Sequence, residues 1–202
     1  MICARILGLS LAIWVCVGSA SVCWSVSFSQ QFDSEIAAAA DRYWPAGPDW
    51  LWWKAQLYQE SRLKPEAVSP VGARGLAQFM PATWAEVSRQ LGWRNVSPHS
   101  PPHAIRAGAF YMRQLQRFPD WRAWADPDRH ALAQAAYNAG AGNLRKALKI
   151  SIAAQRNPRA RIFRDANTVL GCLPLVTGRH ARETITYIDR IARWRAQMRG
   201  QQ

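Results

Sequence analysis

Carboxylates are scarce in this chain. Among 202 residues there are only five glutamates: Glu35, Glu60, Glu66, Glu86 and Glu183. Glu60 stands apart, because it closes a stretch of apolar and aromatic residues (Leu51, Trp53, Leu57, Tyr58) and precedes Ser61 and a proline-containing loop. At the end of a helix, the negative pole of the C-terminus and the apolar neighbours both disfavour the ionised carboxyl. A pKa raised in this way suits a general acid working near neutral pH. On position alone, a solvated helix-end glutamate is the commoner case. The four histidines (His99, His103, His130, His180) show no metal-ligand spacing with a third ligand, so neither metal nor cofactor is expected. Gly72 and Gly75 read as backbone requirements of a loop, not as a phosphate cradle. Most of the eleven tryptophans are expected in the core, although several could stack on a flat ligand face.

The elements that must position Glu60 read as helices. Asp49 is a plausible cap for a helix through Leu51 to Glu60, after the breaker cluster Trp44-Pro45-Ala46-Gly47-Pro48. Pro65, Pro70, Gly72 and Gly75 make the next stretch a loop. Pro81 opens a helix through Trp84, Val87 and Leu91 that Gly92 stops. Residues 103–118 repeat apolar positions at helical spacing. A further helix from about Arg129 to Asn138 breaks at Ala139-Gly140-Ala141-Gly142, and another runs from Asn143 to Lys149. The last spans about Arg179 to Met198, with Ile185, Ile188, Ile191 and Trp194 expected on its apolar face. No alternating run with hairpin turns and no repeat period stands out. The expected fold class is mostly α, one globular domain.

The N-terminal segment bears on the compartment. Residues 6–31 carry no charge, Arg5 precedes an apolar run to Val17, and Gly18-Ser19-Ala20 follows. A basic start, an apolar core of about a dozen residues and small residues at the last and third-last positions form a secretory signal peptide. Ser21 to Phe28 extends the run toward membrane-spanning length, so an uncleaved anchor is the alternative. Arg5 before the run, with Asp33 and Glu35 after it, sends the C-terminal part outward in either case. The expected organisation is therefore a signal peptide or membrane anchor over 1–28, a linker over 29–48, and a domain over 49–202. Four cysteines are too few for a disulfide scaffold. Cys23 and Cys172 read as a possible pair or, preferably, as two unrelated thiols.

Lys and Arg number 26 against 13 Asp and Glu, a formal net charge of +13. The 49% hydrophobic content excludes a disordered basic chain. The surplus is uneven: residues 1–140 carry 13 basic and 10 acidic groups, whereas residues 141–202 carry 13 and 3. Such a charge implies an anionic partner, whether nucleic acid, a membrane surface or an acidic polymer.

Four blocks narrow the choice. They are Gln59-Glu60-Ser61; Ala67-Val68-Ser69-Pro70-Val71-Gly72-Ala73-Arg74-Gly75-Leu76-Ala77-Gln78-Phe79-Met80-Pro81-Ala82-Thr83; Ala135-Ala136-Tyr137-Asn138-Ala139-Gly140; and Glu183-Thr184-Ile185-Thr186-Tyr187-Ile188. In this order and spacing they resemble the soluble lytic transglycosylase domain family, which is similar to goose-type lysozymes and cleaves peptidoglycan glycan strands. The resemblance runs from about Asp49 to Ile191. It implies a lysozyme-like α fold with a long groove for alternating N-acetylglucosamine and N-acetylmuramic acid, and makes residues 49–202 the catalytic domain.

The resemblance also implies roles. Glu60 matches the catalytic glutamate, which protonates the leaving glycosidic oxygen and then takes the proton of the sugar's own 6-hydroxyl to give a 1,6-anhydro product. Ser69 matches a serine contacting the reacting sugar. Gln78 and Met80 match groove-lining residues. Tyr137 and Asn138 match residues facing the substrate, and Tyr187 one near the catalytic glutamate. Glu183 matches a residue near the stem peptide, with a buried ion pair to a nearby arginine as the alternative. Ala77, Lys64 and Ile185 depart from the family's usual methionine, asparagine and arginine, and are expected to touch groove shape and peptide contacts. The implied partner is the peptidoglycan strand outside the cytoplasm, with membrane contact through the N-terminus and work beside a secretion or other envelope machine as further possibilities. Nucleic acid falls to last. The rival activities are a hydrolase of the same bond and a catalytically silent wall-binding factor.

Overall fold

The computed structural model describes residues 27–154 and 165–202. The expected signal peptide or anchor lies almost wholly outside them, as does Cys23, while Cys172, read as its partner or preferably as an unrelated thiol, is half-buried. Among the described residues the chain forms helices α1 (Asp33–Tyr43), α2 (Trp50–Ser61), α3 (Pro81–Gln90), α4 (Pro101–Gln116), α5 (Asp128–Ala139), α6 (Ala141–Ala154), α7 (Ala166–Gly171), α8 (Pro174–Thr177) and α9 (His180–Arg199). No strand forms among them; the loop after α2 carries only the isolated bridges Val68–Arg74 and Arg74–Phe79.

Local chemistry explains most boundaries. Proline opens α3, α4 and α8 at a first helical position, where its missing N–H costs nothing. Gly140 ends α5 with φ +86, and its N–H donates to Ala136 O. Asp49 precedes α2 but caps it with no side-chain hydrogen bond; its carboxylate is held by Arg195 of α9.

Two expectations need correction. Residues 33–43, inside the stretch expected to be a linker, form α1. Ile36, Ala39 and Ala40 recur at helical spacing and are buried in the same core as α2 and α4. The folded unit therefore begins before Asp49. On α9 the buried positions are Ala181, Thr184, Tyr187, Ile191 and Met198, while Ile185, Ile188 and Trp194 are only partly covered. The helix is rotated relative to its isoleucine stripe because Tyr187 is drawn inward.

Helix α2 lies at the centre, packed on α1 and α9. Trp53 is fully buried, and its indole N–H donates to Ile105 O of α4 at 3.2 Å. Its ring occupies the space a Cβ at Gly108 would need, 2.4 Å away, so α4 approaches α2 closely at that point. On the other side, Leu51 and Ala55 of α2 meet Tyr187, Ile191 and Met198 of α9, with Phe28 against the same cluster. As expected, Trp44, Trp53, Trp84, Trp121 and Trp124 are core residues.

The loop between α2 and α3 is held from outside by Gly75. This residue has φ +74, its N–H donates to Ala67 O at 2.9 Å, and an added Cβ would stand 1.9 Å from Pro98 O. Gly75→Ala is therefore expected to cost about 2 kcal/mol or more, from backbone strain and overpacking together. Denaturant unfolding of the variant measures this loss.

Candidate active site

Glu60 sits one residue before the end of α2, at the floor of a groove of about 700 Å³. The groove runs between the C-terminal ends of α2 and α5, the loop carrying residues 69–80, and one face of α9. It is lined by every residue the sequence nominated: Ser69, Gln78, Met80, Tyr137, Asn138, Glu183 and Tyr187 as well as Glu60. These come from four separate stretches of chain, and the fold brings them together.

The Glu60 carboxyl is partly buried, and Tyr187 donates its hydroxyl proton to Oε1 at 2.5 Å. Burial raises the Glu60 pKa from an ordinary 4.5 to about 7, with the Tyr187 hydrogen bond opposing part of the rise. Burial, followed by the charge of Glu60, holds the Tyr137 and Tyr187 hydroxyls well above their usual range, so both remain protonated. Because Oε1 already accepts from Tyr187, the acidic proton of Glu60 belongs on Oε2, which has no protein partner among the described residues. One hydrogen bond thus selects which oxygen acts on a ligand.

The neighbouring polar groups each keep one unused valence. Ser69 Oγ accepts from the Ala73 N–H at 3.0 Å, which leaves its own proton free to donate. Gln78 Nε2 donates to Gly75 O at 2.9 Å and to Ala67 O at 3.3 Å, which leaves its amide oxygen as an acceptor. Asn138 Oδ1 accepts from Thr184 Oγ1 at 2.8 Å, which leaves Nδ2 to donate. A donor–acceptor set of this kind fits an amide-bearing neutral ligand. Tyr137 donates to Ala77 O at 2.7 Å and so ties α5 to the loop. Met80 and Val71 form an exposed apolar lip.

The backbone is strained where it turns around the site. Arg62, Leu63 and Gln78 take left-handed φ values of 56°, 58° and 46°, which side-chain-bearing residues rarely adopt. Arg62 caps α2 two positions beyond Glu60, and Gln78 aims its side chain back across the loop.

The structure also revises several expectations. Glu183 does not form a buried ion pair with arginine: its side chain is 73% exposed, and the one basic side chain within 4.0 Å among the described residues is His180, with Nδ1 at 3.9 Å. Ala77 is fully buried, Lys64 is exposed and Ile185 is partly covered, and none of the three lines the groove. Lining residues that the sequence reading missed include Gln59, Arg179, Arg182, Thr186 and Arg190. A helical stripe drawn through Glu183 and Tyr187 in both directions would have found the last four.

Comparison with known proteins points the same way. The sequence profile of the transglycosylase SLT domain matches residues 52–159. The chain is 34% identical over 160 residues to membrane-bound lytic murein transglycosylase F of Shewanella pealeana, covering 73% of this chain and 31% of that protein. It is 35% identical over 137 residues to the protein of the same name from Alcanivorax borkumensis, covering 65% and 28%. The chain thus spans about a third of the length of the curated relatives it matches. An X-ray structure of an inactive mutant of the lytic transglycosylase Slt from Pseudomonas aeruginosa superposes with a TM-score of 0.60 at 26% identity, over 83% of this chain and 24% of that one. The helical architecture is the lysozyme-like one of these enzymes.

The seat of Glu60 has a thermodynamic signature independent of catalysis. A folded pKa of about 7 against 4.5 means that the native state holds this proton better than the unfolded chain. Its contribution is full below the unfolded value and is lost as pH rises through the interval to the folded one. A carboxamide cannot ionise, so Glu60→Gln should be more stable than wild type at about pH 8, by about 1–3 kcal/mol, and lose that advantage toward about pH 4. Denaturant midpoints across this pH range provide the check.

Proposed function

The chain belongs to the transglycosylase SLT domain family, and we propose that it is a lytic transglycosylase that cleaves the β-1,4 bond between N-acetylmuramic acid and N-acetylglucosamine in peptidoglycan. The observation that carries this reading is a carboxyl on the groove whose burial raises its pKa to about 7, with Oε1 committed to Tyr187 and Oε2 without a protein partner among the described residues.

The chemistry follows from that arrangement. Glu60 donates its Oε2 proton to the glycosidic oxygen as the C1–O bond breaks, and the departing sugar leaves with a new hydroxyl. The resulting carboxylate is stabilised by the Tyr187 hydrogen bond and accepts the proton of the muramic acid 6-hydroxyl. That oxygen closes onto C1, which forms the 1,6-anhydro ring and returns Glu60 to its protonated state. Most glycosidases need a second carboxylate to activate water or attack the sugar. Here the nucleophile is part of the substrate, and an intramolecular hydroxyl has a very high effective concentration. Apart from Glu60, the only carboxylate on the groove is the solvated Glu183, which lacks the buried setting of the acid. The free valences of Ser69, Gln78 and Asn138 suit the N-acetyl groups and hydroxyls of the glycan.

The N-terminal segment supports export, with the domain facing the wall from the periplasm, free or tethered to the membrane. No helix among the described residues is long and apolar enough to cross a membrane.

Mass spectrometry of digested cell wall tests the proposal. Anhydro-ended fragments are expected, while reducing N-acetylmuramic acid ends would mean a hydrolase and no fragments a binding factor. Glu60→Gln should lower the cleavage rate about 10³-fold, within the usual range for loss of a general acid. Since the protonated form starts the reaction, kcat/KM should be flat below pH about 7 and fall above it. Tyr187→Phe removes the hydrogen bond that favours the carboxylate, so its falling limb should move to higher pH while kcat drops.

A further inference from the structure

The groove-facing stripe of α9 carries more positive charge than the acid chemistry uses. Arg179, Arg182 and Arg190 line the groove beside Glu183 and Tyr187. They stand three and eleven residues along from the first, which keeps them on one side of the helix, and the outer two are about 16 Å apart at 1.5 Å rise per residue. Some cations of this domain have carboxylate partners: Lys54 pairs with Asp33, Arg89 with Glu86, Arg145 with Asp120, and Arg195 with Asp49. All thirteen acidic side chains lie within the described residues, yet none comes within 4.0 Å of the three groove guanidinium groups.

These arginines do not serve Glu60 either. Its titration is governed by burial and by Tyr187, with no guanidinium contributing. An arginine against that carboxyl would favour the ionised form and defeat the acid. What remains is the ligand. A guanidinium offers parallel N–H donors that match a planar carboxylate, and three such groups along one wall match several carboxylates on an extended polymer. In a peptidoglycan strand the sugar rings are uncharged, and an attached stem peptide converts the lactyl carboxyl to an amide. The remaining carboxylates belong to the stem peptides.

We infer that Arg179, Arg182 and Arg190 form a carboxylate-reading wall that selects strands whose stem peptides carry free carboxylates over strands in which those groups are amidated. The inference rests on the proposed transglycosylase activity. Arg190 lies about one helical turn beyond Tyr187, and Arg179 and Arg182 lie on the opposite side of it, so the wall extends to either side of the Glu60–Tyr187 contact. It is a specificity device and takes no part in bond breaking.

The test divides one peptidoglycan preparation in two and converts the stem carboxylates of one half to carboxamides with carbodiimide and ammonium. The full chain digests both, and anhydro-ended products are counted. The untreated wall should be cleaved with a kcat/KM about tenfold higher, the combined effect of three partly solvated ion pairs. That ratio should shrink with added salt. Arg179→Gln/Arg182→Gln/Arg190→Gln should bring it toward one, chiefly through a higher KM on untreated wall. Single Arg182→Gln and Arg190→Gln variants read the same ratio if the triple variant folds poorly. Equal wild-type rates on the two substrates overturn the inference and leave the activity standing. A variant that keeps the full ratio overturns the assignment to these arginines, and an absence of anhydro products from both substrates overturns the activity instead.

Discussion

A carboxyl that must keep a proton near neutrality, at the edge of a water-filled groove, needs surroundings that resist ionisation without sealing it from the ligand. Burial beside α9 supplies the resistance to ionisation, the Tyr187 hydrogen bond to Glu60 Oε1 fixes which oxygen is left for the ligand, and much of the structure is arranged to hold that contact. Tyr187 comes from α9 and Glu60 from the last turn of α2, 127 positions apart in the chain. Their meeting depends on the apolar seam of Leu51, Ala55, Ile191 and Met198 between the two helices. Loosening that seam would let water to the carboxyl and lower its pKa toward the ordinary range.

The same constraint explains where the chain accepts strain. Left-handed residues without glycine cost of order 1 kcal/mol or more each, and three of them, Arg62, Leu63 and Gln78, follow the acid in the turn out of α2 and the site loop. The core can carry this cost because it is closely packed, with the Trp53 ring seated on Gly108 and aromatic side chains hydrogen-bonded to helix carbonyls. The site loop is anchored by Leu76, Ala77 and Phe79, which are buried in the core, while Val68, Val71 and Met80 stay exposed. Its shape is completed by Gly75, the Gln78 amide and the Tyr137 hydroxyl, all acting on backbone carbonyls or N–H groups.

Much of the helical order could be read from the chain, because α2, α3, α4, α5 and α9 each combine apolar periodicity with a proline or glycine boundary. The position of Glu60 at the end of an apolar helix suggested an acid without deciding it; Glu60, like the other nominated groove residues, was picked out by the order of four short blocks. What escaped had weaker local signals. The α1 stretch is alanine-rich and followed by a breaker cluster, so its three core positions looked like the edge of a domain. Helices α7 and α8 span 6 and 4 residues, too few to show a period. The rotation of α9 was hidden because isoleucines advertise burial more loudly than a tyrosine whose hydroxyl has a buried task. Arginines 179, 182 and 190 were visible only as net charge; placing them on the groove requires knowing which face of α9 turns inward.

Glu60 as the one carboxyl with a proton near neutrality is the claim on which the rest depends, and its titration can be followed directly. In protein labelled with ¹³C at glutamate side-chain carboxyls, the Glu60 resonance is assigned by its absence from Glu60→Gln and followed by NMR as pH is raised. A midpoint near pH 7 is predicted. A midpoint near the ordinary glutamate value of 4.5 would contradict it.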